Sequence, residues 1–154
     1  MNPAASLFNV TGKAAIVTGA SYGLGVTMAE TLAQAGARVA LVARSVDKLQ
    51  RVAESIKKQG GTAEVVTCDV GDSAQVANMV ATILQKFGRV DILVNNAGVV
   101  ADGGAMPERV PDELFEKTVR INLFGVWYCC REVGASMLRD GKGGSIINIA
   151  SISG

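Results

Sequence analysis

Short apolar runs alternate along the chain with stretches whose apolar residues recur every three or four positions, the pattern of strands separated by amphipathic helices. The run Ala14 to Val17 predicts a first strand, and a glycine-bearing loop joins it to a helix that starts near Leu24 and carries Met28, Ala29, Leu32 and Ala33 on one face. Gly36 is a natural stop ahead of a second strand, Val39 to Ala43. Ser45 is placed to cap a helix presenting Leu49, Val52, Ala53 and Ile56, which Gly60 and Gly61 end before the strand Ala63 to Thr67. Asp72 and Gln75 read as a capping box for a third helix, whose inner face is Val76, Met79, Val80, Ile83, Leu84 and Phe87. Gly88 leads from it into the strand Val90 to Val94. A polar loop, Ala101 to Val110, precedes a long helix from about Asp112 to Leu138, and Lys142-Gly143-Gly144 turn the chain into a last strand, Ser145 to Ile149.

Strands that are apolar almost throughout need cover on both faces, so the alternation predicts an α/β fold: a doubly wound parallel sheet of the Rossmann type. Five strands in the order 3-2-1-4-5, with helices on both faces, follow from right-handed crossovers that run outward in both directions from the first strand. A ligand then belongs at the carboxyl ends of the strands, where the order reverses. With 154 residues, 49% of them hydrophobic, the chain is expected to form one domain over 1–154.

The loop Thr18-Gly19-Ala20-Ser21-Tyr22-Gly23-Leu24-Gly25 sits where such a sheet binds a dinucleotide. Glycines at 19, 23 and 25 let the backbone approach a pyrophosphate, and the helix that follows offers unpaired N–H groups and a partial positive charge. At the end of the second strand, beside the adenosine ribose, Ala43 cannot accept a bond from a 2′-hydroxyl, and the Arg44 guanidinium suits a 2′-phosphate. NADP is therefore expected in preference to NAD. Asp69, followed by Val70 after the third strand, is suited either to an adenine amino group or to an ordinary turn. Asn95-Asn96-Ala97-Gly98 closes the fourth strand with amides able to tie strand ends together and a glycine that admits the nicotinamide-side ribose.

Composition narrows the chemistry further. A net charge of +1 with interspersed signs argues against nucleic acid or an anionic membrane as partner, and no apolar run approaches the roughly 20 residues of a membrane span. Three cysteines, with neither an even count nor C-x-x-C spacing, argue against a disulfide framework or zinc site. The absence of histidine excludes imidazole bases and His-based triads. No metal is expected, and a cytoplasmic location fits.

Taken together, Thr18-Gly19-x-x-x-Gly23-x-Gly25, Asn95-Asn96-Ala97-Gly98, Asn122 within a long helix and Ser151 beyond the last strand resemble the short-chain dehydrogenase/reductase family, classical type. The resemblance spans essentially the whole chain, with four motifs in the family's order. It implies hydride transfer between a nicotinamide cofactor and a carbonyl or alcohol substrate. The implied cofactor-binding residues are Gly19, Ser21, Tyr22, Gly23, Leu24, Gly25, Arg44, Asp69, Val70, Asn96, Ala97 and Gly98. Ser151 would bind the substrate oxygen, and Asn122 would hold a water through its helix backbone within a proton relay.

The family's proton-handling Tyr-x-x-x-Lys lies beyond its Ser. Tyr22 and Tyr128 are not followed by Lys four residues later. The chain is accordingly expected to be an N-terminal portion, its C-terminal part missing, inactive alone and poorly soluble. Tyr22 also stands where NADP-preferring relatives often carry a second basic residue. Apolar residues on more of the long helix than one sheet face needs, namely Leu114, Phe115, Ile121, Phe124, Val126, Trp127 and Tyr128, point to a homo-oligomer when intact or to cover by the missing C-terminal segment, and the resemblance implies that such an oligomer is a tetramer or dimer. The alternative is a non-catalytic truncated protein that binds a dinucleotide or a partner. The apolar edge Ser145 to Ile149, without the charge or proline that would blunt it, argues against that alternative.

Overall fold

The computed structural model describes residues 9–100 and 105–151. A central parallel sheet is built from β1 (Ala14–Thr18), β2 (Arg38–Ala43), β3 (Thr62–Thr67), β4 (Ile92–Asn95) and β5 (Ser145–Asn148), in the order β3-β2-β1-β4-β5. The helices are α1 (Leu24–Gln34), α2 (Val46–Lys58), α3 (Ser73–Phe87), α4 (Asp112–Val119) and α5 (Gly125–Asp140). Register runs through the centre at Ile16, which lies opposite Ala40 of β2 and Leu93 of β4.

Alternation along the inner strands divides the core between the two sheet faces. Ala15, Val17, Val39 and Leu41 pack with Ala29, Ala33, Leu49, Val52 and Ile56, against α1 and α2. Ala14, Ile16, Ala40 and Val42 pack on the opposite side with Val76, Met79, Ile83, Cys129, Val133 and Met137, against α3 and α5. β5 differs, with Ile146 and Ile147 exposed by 39% and 47%, an apolar edge open on the described surface.

Four local features depart from the sequence pattern. The long helix is not continuous: a π turn, Arg120–Phe124, separates α4 from α5, closed by the Gly125 N–H donating to the Arg120 carbonyl. One extra residue in a turn barely disturbs the spacing of apolar positions, so periodicity gave no sign of it. Ser45 stands at the N-cap of α2 but its side chain makes no capping bond. At α3 the Asp72 carboxylate caps the amides of Ala74 and Gln75, while Gln75 Oε1 accepts from the Asp69 amide rather than from Asp72, so the capping box is incomplete. β4 starts at Ile92, not Val90, because the Asp91 carboxylate takes the Ala14 amide at the position where a ladder would begin.

Of the seven residues expected on an uncovered helix face, Phe115, Phe124 and Trp127 are exposed, and Leu123 joins them. Leu114, Val126 and Tyr128 are half-buried, whereas Ile121 is buried in the core. Among the described residues no helix is long and apolar enough to cross a membrane, and no His/Cys/Asp/Glu cluster could hold a metal ion.

Candidate functional site

Thr18, the last residue of β1, organises the carboxyl edge of the sheet. Its buried hydroxyl oxygen accepts from the amides of Asn96 and Ala97, both at 3.0 Å, and donates to the Val94 carbonyl at 3.3 Å. The Asn96 side chain returns the tie by donating to the carbonyls of Thr18 and Gly19 at 3.0 and 3.4 Å. Asn95 fixes the other side, donating to Asn148 Oδ1 of β5 at 2.9 Å and to Cys130 Sγ at 3.3 Å. The two amides thus bind three strand ends into one rim.

Glycine is required on that rim for reasons the geometry makes explicit. A Cβ on Gly19, at φ +67°, would come within 2.9 Å of Ala97 Cα, and one on Gly25 would run into the Gly19 carbonyl. Gly23 heads α1 at φ 57°, ψ −139°, backbone that only glycine adopts readily, yet a Cβ there would meet nothing within 4 Å. The loop is packed tightly on its inner side and open on its outer side, which is the shape a bound pyrophosphate needs.

The rim encloses a cavity of about 710 Å³ at the carboxyl ends of β1, β2, β3 and β4. Of the twelve residues expected to bind cofactor, all but Gly23 line it. Sequence reasoning missed Ser45, Lys48, Val99 and Ile121, which line it as well. Lys48 had a usable signal, since it stands three positions after the Ser45 cap and so shares its side of the helix.

Arg44 and Lys48 are the cavity's cations among the described lining residues and Asp69 its carboxylate. Asp69 also serves the turn, accepting from the Gly71 amide at 3.0 Å. Burial, reinforced by Asp69 and Asp72, pushes the Cys68 thiol up to about 11, and burial pushes Cys129 up to about 12. Both stay protonated near neutrality, so neither supplies a nucleophilic thiolate.

Asn122 lies in the π turn and reaches out of the helix. Its Oδ1 accepts from the Val99 amide at 2.9 Å and its Nδ2 donates to the Val99 carbonyl at 2.8 Å, so one carboxamide closes on both main-chain groups of a cavity-lining residue. Asn122 itself does not line the cavity. Ser151 follows β5 on the same carboxyl edge, exposed and outside the cavity lining. Asp102, Gly103 and Gly104, in the polar loop after β4, lie outside the described residues.

Known proteins share this architecture. The chain is 39% identical over 142 residues to the 2,3-dihydro-2,3-dihydroxybenzoate dehydrogenase of Bacillus subtilis, covering 92% of this chain and 53% of that protein. It is 39% identical to a 3-oxoacyl-[acyl-carrier-protein] reductase of Staphylococcus epidermidis, covering 92% and 57%. A short-chain type dehydrogenase/reductase from Mycobacterium marinum superposes with a TM-score of 0.93 at 39% identity, over 97% of this chain and 60% of the other. A metagenomic short-chain oxidoreductase solved in complex with NADP superposes at 0.88 with 38% identity, over 94% and 64%. The chain spans about half the length of the curated relatives it matches. The family described as short chain dehydrogenase matches residues 13–154, and the chain belongs to that family.

Proposed function

We propose that this chain is the cofactor-binding portion, one domain over 1–154, of a cytoplasmic NADP-dependent oxidoreductase that interconverts a carbonyl and an alcohol in a small molecule. The observation that carries the reading is the cavity at the reversal of strand order, with the glycine loop at one end and Arg44 at the other. The residues fit the group: without Cβ atoms at Gly19 and Gly25 the loop packs closely on its inner side, Gly23 leaves its outer side open, and Arg44 offers a planar pair of donors to a phosphate monoester.

When bound, the nicotinamide supplies or accepts the hydride. The chain's own residues do the rest. The Gly19, Ser21, Tyr22, Leu24 and Gly25 backbone holds the pyrophosphate, Asp69 and Val70 bound the adenine, and Asn96, Ala97 and Gly98 support the nicotinamide-side ribose. Asn122 holds the floor of that end rigid through Val99 and carries a relay water on its helix backbone, while Ser151 stabilises charge on the substrate oxygen. The reading assigns the proton step to a Tyr-x-x-x-Lys, which residues 1–154 do not contain. The bond-making group is thus distinct from everything that this chain contributes. A homo-oligomer formed through α4 and α5 is part of the same proposal, supported by the exposed Phe115, Leu123, Phe124 and Trp127.

The test is titration of residues 1–154 with NADPH and NADH, in wild type and Ala43→Asp, followed by nicotinamide fluorescence. NADPH should bind at least about tenfold more tightly to the wild type, as a charge-assisted contact is worth. Ala43→Asp should reverse the preference. A wild type that prefers NADH overturns the NADP assignment. A longer polypeptide that carries an in-frame Tyr-x-x-x-Lys and binds NADPH, yet reduces no ketone in a broad panel, would favour the non-catalytic alternative.

A further inference from the structure

We propose that Cys130 is a positioning residue, whose thiol ties α5 to the carboxyl ends of β4 and β5 and so sets where Ser151 stands; the inference rests on the reading above that gives Ser151 the substrate oxygen. Asn95 and Asn148 lie opposite each other in the β4–β5 register, and Asn95 is buried. The Asn95 amide has two hydrogens to place. It donates to Asn148 Oδ1 at 2.9 Å and to Cys130 Sγ at 3.3 Å. The half-buried thiol in turn donates to Asn148 Oδ1 at 3.8 Å, which closes a triangle of side chains from three elements.

Helix and strand meet in step at this point. Along α5, Cys130 and Gly134 are separated by about 6 Å of helix rise, and along β5, Asn148 and Ile146 by about 6.6 Å of strand. A Cβ on Gly134 would have Ile146 Cδ1 as its neighbour, at 4.0 Å, while Cys130 reaches Asn148. Cys129, one residue earlier, packs instead into the core with Val133 and Met137. An apolar side chain at position 130 leaves one hydrogen of the buried Asn95 amide without an acceptor and releases the end of β5 from the helix. The Ile149 amide, which donates to the Asn95 carbonyl at 2.9 Å, carries the chain onward to Ser151, so movement of Asn148 passes to that hydroxyl. Cys130, Asn95 and Asn148 all stand outside the lining of the cofactor cavity, so nucleotide affinity should not register the change.

The experiment compares wild type, Cys130→Val and Cys130→Ser by hydrogen exchange in residues 1–154, and by kinetics in a longer polypeptide that carries an in-frame Tyr-x-x-x-Lys. Valine fills the site without a polar atom, and serine restores one. Cys130→Val should lower protection of the Ile149 amide about tenfold, as loss of a bond to a buried amide does, and leave unchanged the Ala20 amide, which donates to the Val42 carbonyl. In the longer polypeptide it should lower kcat about tenfold, with KM for NADPH within about twofold of wild type. Cys130→Ser should recover most of both losses. Equal loss of protection at Ile149 and Ala20, no loss at Ile149, or a serine variant no better than valine overturns the proposal. An active wild type matched in kcat by Cys130→Val sinks this proposal alone, whereas a wild type that reduces no ketone sinks the catalytic reading whatever Ile149 shows, and the role of Cys130 falls with it.

Discussion

Asp91 Oδ2 accepts the Ala14 amide at 2.9 Å, so a carboxylate just ahead of β4 pins the first residue of the central strand, 77 positions earlier. Arg89 pairs with the other oxygen of the same carboxylate at 2.6 Å, and Lys13 approaches it to 3.5 Å. Burial alone would raise the Asp91 carboxyl, but the Ala14 amide, Arg89 and Lys13 together outweigh it and hold the group below its ordinary value. A lowered folded-state value means that the stabilisation is complete above the unfolded-state pKa of about 3.9 and is lost as pH falls through the folded value. Chemical denaturation across pH 2 to 7 should therefore show an acid limb that is shallower in Asp91→Asn. At pH 7, Asp91→Ala should cost about 2–4 kcal/mol, because it leaves the buried Ala14 amide without its acceptor and Arg89 with only Asp140 at 3.4 Å. A variant as stable as wild type at neutral pH would refute the role of this contact.

Gly25 and Gly23 should separate packing from backbone strain. Gly25→Ala drives a methyl into the Gly19 carbonyl, so the loop must move, and both the melting temperature and nucleotide affinity should fall. Gly23→Ala meets no atom within 4 Å and should cost only the backbone strain, about 1–3 kcal/mol, with the fold intact by circular dichroism. Equal losses of affinity and stability in the two variants would contradict this division.

Removing the Asn122 carboxamide should loosen the loop after β4 and leave the sheet alone. Asn122→Ala deletes both bonds to Val99, about 1–3 kcal/mol in total. Hydrogen exchange should show the Val99 amide losing protection while β1 and β2 amides keep theirs. Asn122→Asp retains an acceptor for the Val99 amide and faces its carbonyl with no donor, so it should give a partial effect.

The apolar face of α4 and α5 should control association. Phe115 and Trp127 are exposed by 63% and 61% and Leu123 by 61%, large apolar side chains available to a second copy of the chain. Phe115→Ser with Trp127→Ser should shift sedimentation toward smaller species and raise solubility. Wild type sedimenting as a monomer at micromolar concentration would contradict the proposed assembly.

The sheet order and eleven of the eighteen described cavity-lining residues were legible because both depend on short-range signals. Buried strands read as apolar runs, and glycines mark the turns that need them. What escaped was set by contacts between distant residues or by the choice among competing bonds. Asp91 displaces the start of β4 by taking an amide of β1, and Gln75 turns to Asp69 instead of completing a cap. Ile121 reads as surface from its neighbours yet is buried within the π turn, in the core that packs under α3 and α5, and lines the cavity. Lys48 resembles any solvated lysine until the cavity shows what it faces.

The tie between Asn96 and the carbonyls of Thr18 and Gly19 also bears on the order of folding. Its partners stand 77 and 78 positions apart, so the first glycine loop emerges from the ribosome long before the residue that seats it. β1, β2 and β3 can assemble with α1 and α2 around their own apolar face while this loop still lacks its anchor. The nucleotide site is therefore a late product of folding, and a nucleotide present during refolding should raise the yield of native chain by capturing the last step rather than by hastening the first.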